Sequence, residues 1–569
     1  MVGERGIATP YQQAAERYPE IPRQDFRRAV QYIDENGARS SGAQAIFESL
    51  KPVQGYGWLA WAYRRVPLFA PLSDWVYREV AGHRDKATWV TRLLWGASLE
   101  LPQYRTSVWL FRRVLAILFL ISFVSLGVQV RGLIGSQGIL PLGSYLEAVQ
   151  SQAGASRFLD APMIFWWWHS DAALQWCCWI GAVLAAICAL GFLQRLLFVL
   201  LFILYLSLVT AGQVFMGYQW DYLLIECGFL AIFLTPSLPR VWVWQWLLFR
   251  LMFESGCVKL LSHDPTWANL TALSFHYQTQ PLPTPLAWYA AQAPMWFQKF
   301  STACVFLIEL AAPFLIFGPR RVKQVSALAF LSLQLLIMLT GNYTVFNMLA
   351  ISLCLGLLDD RFWGRILAKY RGPEPAGLGS FSSRVVSGIL LALVLIVGGS
   401  QIAGMFTESQ PALARELVAR LSPFGVVNSY GLFATMTTVR IEIEVQGSND
   451  GENWQTYGFA YKPGDPARAP RWVAPHQPRL DWQMWFAALS NYRENPWFNN
   501  FMARLLTASP DVLWLLEKDP FRGVAPKYVR ATASEYRFSD EDHRRATGEW
   551  WVREPKGAYF PPVTLRNSR

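Results

Sequence analysis

The 569-residue chain is short of charge: Asp, Glu, Lys and Arg make up 16% of it, against about 25% in an ordinary soluble protein. It also lacks a usable cysteine framework. Cys177, Cys178, Cys188, Cys227, Cys257, Cys304 and Cys354 all sit in apolar stretches, and no C-x-x-C occurs. That excludes a disulfide-stapled ectodomain and a dithiol redox centre within these residues. G-x-S-x-G, the P-loop, G-x-G-x-x-G and H-E-x-x-H are absent too, so no local signature points to a hydrolase, a nucleotide enzyme or a zinc protease. The opening MVGERGIATPYQQ holds no apolar run and does not read as a cleavable signal peptide. His263 and His276, thirteen apart with no neighbouring cysteine, are poorly spaced for a metal. Neither metal nor cofactor is expected.

What the chain has instead is apolar and aromatic surface: 53% hydrophobic residues and 27 tryptophans. A mean hydropathy of only +0.20 excludes membrane from end to end. The expected architecture is therefore a polytopic α-helical membrane protein with soluble parts. A formal charge of +11 would suit nucleic acid if the arginines shared a face, but many flank apolar runs, which is a membrane-orientation signal.

Three regions follow. Residues 1–104 are polar and of mixed charge. Arg28–Asp34 reads as a strand, Asn36-Gly37 as the turn after it, and Ala43–Leu50 as a helix. Leu59–Tyr77, rich in Trp, Tyr and Arg, fits either a helix on a membrane surface or the core of a small soluble domain. Residues 105–404 hold about nine apolar runs: Val108–Val130, Ala172–Leu193, Leu196–Val214, Trp220–Leu234, Trp242–Leu261, Phe300–Phe317, Val325–Leu339, Tyr343–Leu358 and Val385–Gly404. Each is near the length needed to cross about 30 Å of hydrocarbon. With the N-terminus in the cytoplasm, inner loops carry Arg195, Arg240, Arg320, Arg321, Lys323, Arg361, Arg365, Lys369, Arg371 and Arg384. Outer loops carry only Arg131, Arg157 and Lys299, which satisfies the positive-inside rule. Nine crossings then put the C-terminus outside.

Residues 405–569 form the expected exterior domain. Val439, Ile441, Ile443 and Val445 alternate with Arg440, Glu442 and Glu444, the period of a half-buried strand. A turn at Ser448–Asn453 leads to a second strand, Trp454–Tyr461. Helices are expected near Trp482–Leu489, Asn499–Thr507 and Val512–Glu517, and a strand at Tyr528–Phe538. The domain reads as α+β or β-sandwich-like.

Ionisable residues within the membrane are costly and face a partner or a cavity. Asp221 and Glu226 fall on the fourth run, Arg250, Glu254 and Lys259 on the fifth, and Glu309 on the sixth. At about 1.5 Å per residue, Glu226 and Lys259 share the outer half, and Arg250 and Glu309 the middle. The cluster reads either as interhelical ion pairs or as an outward polar pocket whose catalytic candidate is Lys259, since burial lowers a lysine pKa. The loop Ser262–Phe300 is rich in proline and aromatics. Its Trp267, Tyr277, Trp288, Tyr289 and Trp296 are candidates for binding an exposed apolar client. The Asn269-Leu270-Thr271 sequon lies on the same loop.

The runs WLLFRLMFESGCVKLLSHDPTW (Trp246–Trp267), HYQTQPLPTPLAWY (His276–Tyr289), WDYLLIECGFLAIF (Trp220–Phe233), NSYGLFATMTTVR (Asn428–Arg440) and VAPHQPRLDWQMWF (Val473–Phe486) closely resemble the lipase maturation factor family. KPGD (Lys462–Asp465), NPWF (Asn495–Phe498) and RRATGEWW (Arg544–Trp551) extend the resemblance, which covers residues 105–560. It implies a membrane factor that assists folding of secreted clients, lipases in the endoplasmic reticulum of eukaryotes, a role that needs no turnover chemistry and agrees with the absence of catalytic motifs. Its partners would be secreted proteins and membrane lipids, not nucleic acid. The compartment is a bacterial inner membrane or the endoplasmic reticulum membrane, according to source.

Two fainter resemblances supply alternatives. SGCVKL (Ser255–Leu260) looks like the lysine-bearing helix of vitamin K-dependent carboxylase-type domains, which implies an intramembrane enzyme using Lys259. Ala29–Asp34, GAQAIF (Gly42–Phe47) and Trp75–Arg84 resemble the later part of DCC-type thiol-disulfide oxidoreductases, a short thioredoxin-like remnant. That family's D-x-x-C-x-x-C is absent here, so either the start lies further upstream or the domain is redox-dead. A role as accessory to redox chemistry would need that pair.

Overall fold

The computed structural model describes residues 9–34, 36–51, 56–96, 99–364, 366–367, 381–407 and 411–565. Arg365, Lys369 and Arg371 lie outside them. The chain divides into two compact units, Met1–Glu100 with Pro319–Arg321, and Leu101–Gly318 with Val322–Arg569.

The first unit is built on a two-stranded antiparallel hairpin, β1 (Gln31–Ile33) and β2 (Arg39–Ser41). The expected strand from Arg28 begins later, because Arg23–Arg28 is helical. Asp34 caps the turn by accepting the N–H groups of Asn36 and Ala38. Four helices follow: α1 (Gly42–Leu50), α2 (Gly57–Arg65), α3 (Phe69–Gly82) and α4 (Arg84–Trp95). Leu59–Tyr77 is thus two helices, divided at Pro67 and at Leu68, whose φ is +67°. The small core comprises Phe47 against Tyr63 and Phe69 and the buried Ala43, Ala45, Ala60 and Ala62. Tyr77 Oη accepts the Val30 N–H at 2.8 Å, tying α3 to the start of the hairpin.

In the second unit, six helices among the described residues are long and apolar enough to cross a membrane: Arg105–Gly127, Asp171–Leu190, Gln194–Ala211, Met295–Phe317, Arg320–Thr340 and Gly388–Phe406. The first three are α5, α6 and α7. The other three expected crossings differ. The Trp220–Leu234 run is α8 (Gln219–Phe233), 15 residues, short of the roughly 20 that span hydrocarbon. The Trp242–Leu261 run is α9 (Leu238–Leu261), 24 residues long but carrying Arg240, Arg250, Glu254 and Lys259. The Tyr343–Leu358 run reaches only Phe346–Cys354 plus a 3-10 turn to Leu357. Apolar composition is common to buried and lipid-facing helices, so hydropathy alone cannot separate them. α9 is mostly buried: Val241, Trp244, Leu248, Arg250 and Glu254 are among its fully enclosed side chains. The helix at Met295–Phe306 (α10) continues through a π turn, Leu307–Ala311, into a 3-10 stretch ending at Phe317. After α11 (Arg320–Thr340) and α12 (Phe346–Cys354) comes α13 (Phe381–Phe406), which packs on α9.

The C-terminal part carries a four-stranded antiparallel sheet in the order β4-β3-β5-β6. Its strands are β3 (Arg440–Ser448), β4 (Gln455–Thr456), β5 (Tyr528–Phe538) and β6 (Trp551–Val563). β3 and β5 pair from Arg440↔Tyr536 to Ser448↔Tyr528 without a shift. Of the expected Trp454–Tyr461 strand only Gln455 and Thr456 pair with β3, and Gly458 makes a lone bridge to Lys518. β6 carries Pro555, Pro561 and Pro562, residues that lack a ladder donor and are tolerated because β6 is an edge strand with register shifts. Helices α14 (Arg479–Ala487) and α15 (Pro496–Leu506) cover the sheet, and α16 (Glu541–Thr547) links β5 to β6. One apolar cluster runs unbroken from Phe111 and Leu115 in α5 to Phe498, Val529 and Phe560 in the C-terminal part. Bundle and sheet therefore share a core.

Candidate functional site

The buried charges of the bundle are met largely by residues after position 425. On α8, Asp221 is fully buried and faces Arg479 at the start of α14, with N–O distances of 2.5 and 2.8 Å. Tyr205 of α7 donates its hydroxyl to the same carboxylate at 2.6 Å. The other Nη1 and Nη2 donors of Arg479 reach the Phe215 carbonyl and the Gln477 amide oxygen, while its buried Nε has no partner. The guanidinium stands 5.5 Å from the Tyr218 ring and 5.7 Å from that of Trp220. Gln129, just beyond α5, accepts the Arg479 N–H and donates to the Gln477 carbonyl. A bidentate Arg–carboxylate pair with further hydrogen bonds on both partners is the arrangement that makes a buried ion pair tolerable.

One turn further along α8, Glu226 accepts Arg250 Nη1 of α9 at 3.0 Å. Arg250 also contacts Glu254 at 3.3 Å, Gln401 of α13 at 3.3 Å and the Asn428 carbonyl. The other Glu226 oxygen takes the Asn428 N–H, the Asn428 amide and the Tyr430 hydroxyl at 2.9, 2.9 and 2.6 Å. Glu254 accepts the Tyr430 N–H at 2.7 Å. Two carboxylates against one guanidinium leave a local excess of negative charge, and the N–H groups of the 428–430 segment offset it. Gly398 makes the approach possible: a Cβ there would lie 2.7 Å from Arg250 Cδ.

The third pair is Lys259 with Glu309, at 2.8 and 3.0 Å. Lys259 also donates to the Ser255 carbonyl and lies 5.5 Å from the Trp267 ring. Residue counting places Glu226 and Lys259 together in the outer half and Arg250 and Glu309 together near the middle. The structure pairs Glu226 with Arg250 and Lys259 with Glu309. α10 starts five residues earlier than the apolar run suggests and takes a π turn at Glu309, so position within a run does not measure depth.

Outside the bundle the same seam continues. Asp264 accepts the N–H of Thr266 and of Met436. Burial alone would raise its pKa, but the hydrogen bonds from Thr266 and Met436 hold it below the ordinary carboxylate value. Arg440 and Glu442, expected on the wet face of β3, are both buried. Arg440 donates to the carbonyls of Gln278, Gln280 and Pro281, and Glu442 pairs with Arg440 and Lys462. The polar face of β3 is docked on the outer loop instead of solvent. Asn342 joins from the loop after α11, accepting the N–H of Val473 and of Ala474. Asp481 accepts the N–H of Tyr461 and Lys462 at 2.9 Å, and its burial raises its pKa. His276 lies within 3.1 Å of the Tyr343 hydroxyl, and burial followed by the nearby Lys259 charge lowers its pKa to about 4.

The five outer-loop aromatics separate into two sets. Trp267 and Trp288 are buried, and their indole N–H groups bond the Phe433 and Ser539 carbonyls. These two are spent on joining the chain to itself and offer no surface. Tyr277 is half-buried on the helix Ala272–Thr279. Tyr289 and Trp296 are 55% and 69% exposed. No group of three or more His, Cys, Asp or Glu residues suited to a metal occurs among the described residues.

Residues 106–365 match the lipase maturation factor transmembrane domain, and residues 426–561 the lipase maturation factor C-terminal domain. The chain is 35% identical over 579 aligned residues to lipase maturation factor 2 of Gallus gallus, covering 80% of this chain and 81% of that protein. The chain belongs to the lipase maturation factor family. Lipase maturation factor 1 of Bos taurus is 34% identical to it over 508 residues, 81% of this chain and 90% of that protein. The Homo sapiens lipase maturation factor 2 is 32% identical over 589 residues, 80% and 82%. Residues 6–90 match a DCC1-like thiol-disulfide oxidoreductase. No solved structure matches the chain. The two lipase maturation factor matches lie on either side of the Glu226–Asn428 and Asp221–Arg479 contacts. Sequence reasoning quoted NSYGLF and HQPRLDW for the resemblance but missed Asn428, Tyr430 and Arg479 as partners of the bundle carboxylates. A lone arginine inside the apolar PRLDWQMWF was the available signal.

Proposed function

We propose that the protein is a membrane-anchored maturation factor that assists folding of secreted clients, lipases among them. The observation that carries this reading is the likeness to proteins named lipase maturation factor over about four-fifths of the chain, through both family domains. The proposed organisation is a cytoplasmic segment, residues 1–104, a transmembrane bundle, 105–404, and an exterior domain, 405–569, with the C-terminus in the lumen or periplasm; that topology needs an odd number of crossings, and so one or all three of α8, α9 and α12 besides the six membrane-length helices. Client contact falls to exposed outer-loop aromatics, Tyr289 and Trp296, with Tyr277 beside them. Asp221, Glu226, Arg250 and Glu254 act in this reading as the frame that locks bundle to domain, and Lys259 with Glu309 ties α9 to α10 within the bundle.

The test is co-expression of the full chain with a secreted lipase of the same source, reading secreted activity per unit of lipase protein. Activity should fall when the factor is omitted, and fall several-fold with Tyr289→Ser/Trp296→Ser while thermal stability holds. Equal lipase activity with and without the factor overturns the reading. Deleting residues 405–569 is not a clean test, since it would strip partners from Asp221, Glu226 and Glu254.

A further inference from the structure

The first unit keeps its tryptophans outside. Trp58, Trp61, Leu72, Trp75, Trp89 and Leu93 are each 55% to 65% exposed, while its core is made from Phe47, Phe69 and small alanines. Trp58, Trp61 and Arg65 share one side of α2 at spacings of three and seven. On α3, Leu72, Trp75, Val76 and Val80 form a stripe at i, i+3, i+4 and i+8, and on α4 Trp89 and Leu93 are four apart. A soluble domain hides such rings, and three amphipathic helices in succession that display them need a cover.

We infer that α2, α3 and α4 lie on the surface of an anionic lipid bilayer, with these rings at the headgroup boundary. Three observations favour lipid. Tryptophan with arginine is the composition of the membrane interface, where an indole sits between hydrocarbon and water and arginine snorkels to phosphate. Residues 57–95 carry six Lys and Arg against three Asp and Glu, which complements an anionic leaflet. Of the acids, Asp74 accepts the Tyr63 hydroxyl and Glu79 lies 3.6 Å from His83. Finally, Arg105, where the membrane-length helix α5 begins, is only ten Cα–Cα steps from Trp95. At about 3.5 Å per residue that tether keeps α4 within about 35 Å of a bilayer, so even a weak affinity is satisfied by effective concentration.

The test uses the full chain in lipid nanodiscs, with Cys304→Ser removing the one native thiol that is not buried. Nitroxide labels go on Trp61→Cys, Leu72→Cys and, as a polar control in the hairpin turn, Asn36→Cys. Collision with oxygen and with a water-soluble nickel chelate is then compared. Oxygen should be favoured several-fold at 61 and 72 and the chelate at 36 in discs containing phosphatidylglycerol. The additional pair Trp75→Asp/Trp89→Asp should restore chelate access at 72 without lowering the melting temperature. Chelate access at 61 and 72 in the unmodified background overturns the inference. So does exclusion of both reagents, which would mean that a protein surface covers the stripe, and so do identical values in phosphatidylcholine-only discs.

Discussion

Arg479→Met tests the seam at its most enclosed point. The guanidinium gives Asp221 two hydrogen bonds at 2.5 and 2.8 Å, and neither side chain has any solvent exposure. After the substitution Asp221 keeps only the Tyr205 hydroxyl as a side-chain partner, and the Phe215 carbonyl loses its donor. Breaking one side of a buried pair costs about 3–5 kcal/mol. Unfolding entropy of about 2 cal/mol/K per residue gives a unit of this size roughly 1 kcal/mol/K, so the melting temperature should drop by about 4 °C. Asp221→Leu should cost a similar amount by stranding the arginine. Arg479→Met/Asp221→Leu should recover most of the loss, because an ion pair replaced by apolar groups of like volume is near neutral. Intrinsic-fluorescence melting in nanodiscs reads all four species. Single variants that melt within about 1 °C of the parent, or a double variant that falls by the sum of the singles, would refute the coupling between α8 and α14.

Other perturbations probe neighbouring points. Gly398→Ala places a methyl 2.7 Å from Arg250 Cδ and 2.9 Å from Trp246 Nε1, and overpacking there should cost about 1–3 kcal/mol, seen as a lower melting temperature. Tyr430→Phe removes a 2.6 Å hydrogen bond to Glu226 and should cost about 1.5–3 kcal/mol, while Tyr457→Phe, whose hydroxyl makes no contact with that cluster, serves as the comparison. For His276, folding lowers the pKa from 6.5 to about 4. Its contribution is therefore present above pH 6.5 and lost as pH falls toward 4, about 2 kcal/mol for a partly screened group. Melting curves from pH 7 to 4.5 should be flatter for His276→Gln than for the parent. Lys259→Met should destabilise by stranding Glu309, and Lys259→Met/Glu309→Leu should restore stability. In the maturation-factor reading that double variant still supports lipase activity, whereas loss of activity in a well-folded double variant would favour chemistry at Lys259.

Sequence periodicity reported composition faithfully and environment poorly, and the difference has a physical cause. Long apolar runs located the helices, and six of nine meet the requirements of a membrane crossing. Of the remaining three, α8 and α12 are as apolar but short, and α9 is long enough but carries four charges; protein interior and lipid make the same demand on an apolar side chain. Only the charges on α9 betray that it is sheltered, since Arg250 without solvent and without partners would be prohibitive in lipid. The β3 alternation was legible as a strand, yet its polar half does not face water. Arg440 and Glu442 are buried because the outer loop offers three carbonyls to the guanidinium, and a period of two has no term for a docked partner.

The six ionisable residues were legible as a set, because each is set among apolar residues within a long apolar run. Their pairing was not, because depth counted along a run ignores tilt, helix extension and the π turn at Glu309. Nor does counting along helices find the partners supplied from far along the chain: Asn428 and Tyr430 lie about two hundred residues after Glu226, and Arg479 lies 258 after Asp221. This separation bears on how the fold is reached. A bundle inserted before residues 425–480 are made would hold Asp221 without Arg479, and Glu226 and Glu254 with only Arg250 between them and without the Asn428 and Tyr430 donors; an uncompensated carboxylate in that setting costs several kcal/mol. The bundle and the C-terminal part therefore depend on each other for stability, and they should melt in one cooperative transition. Two resolved transitions in a calorimetric scan of the second unit's signal would contradict the shared core and the seam together.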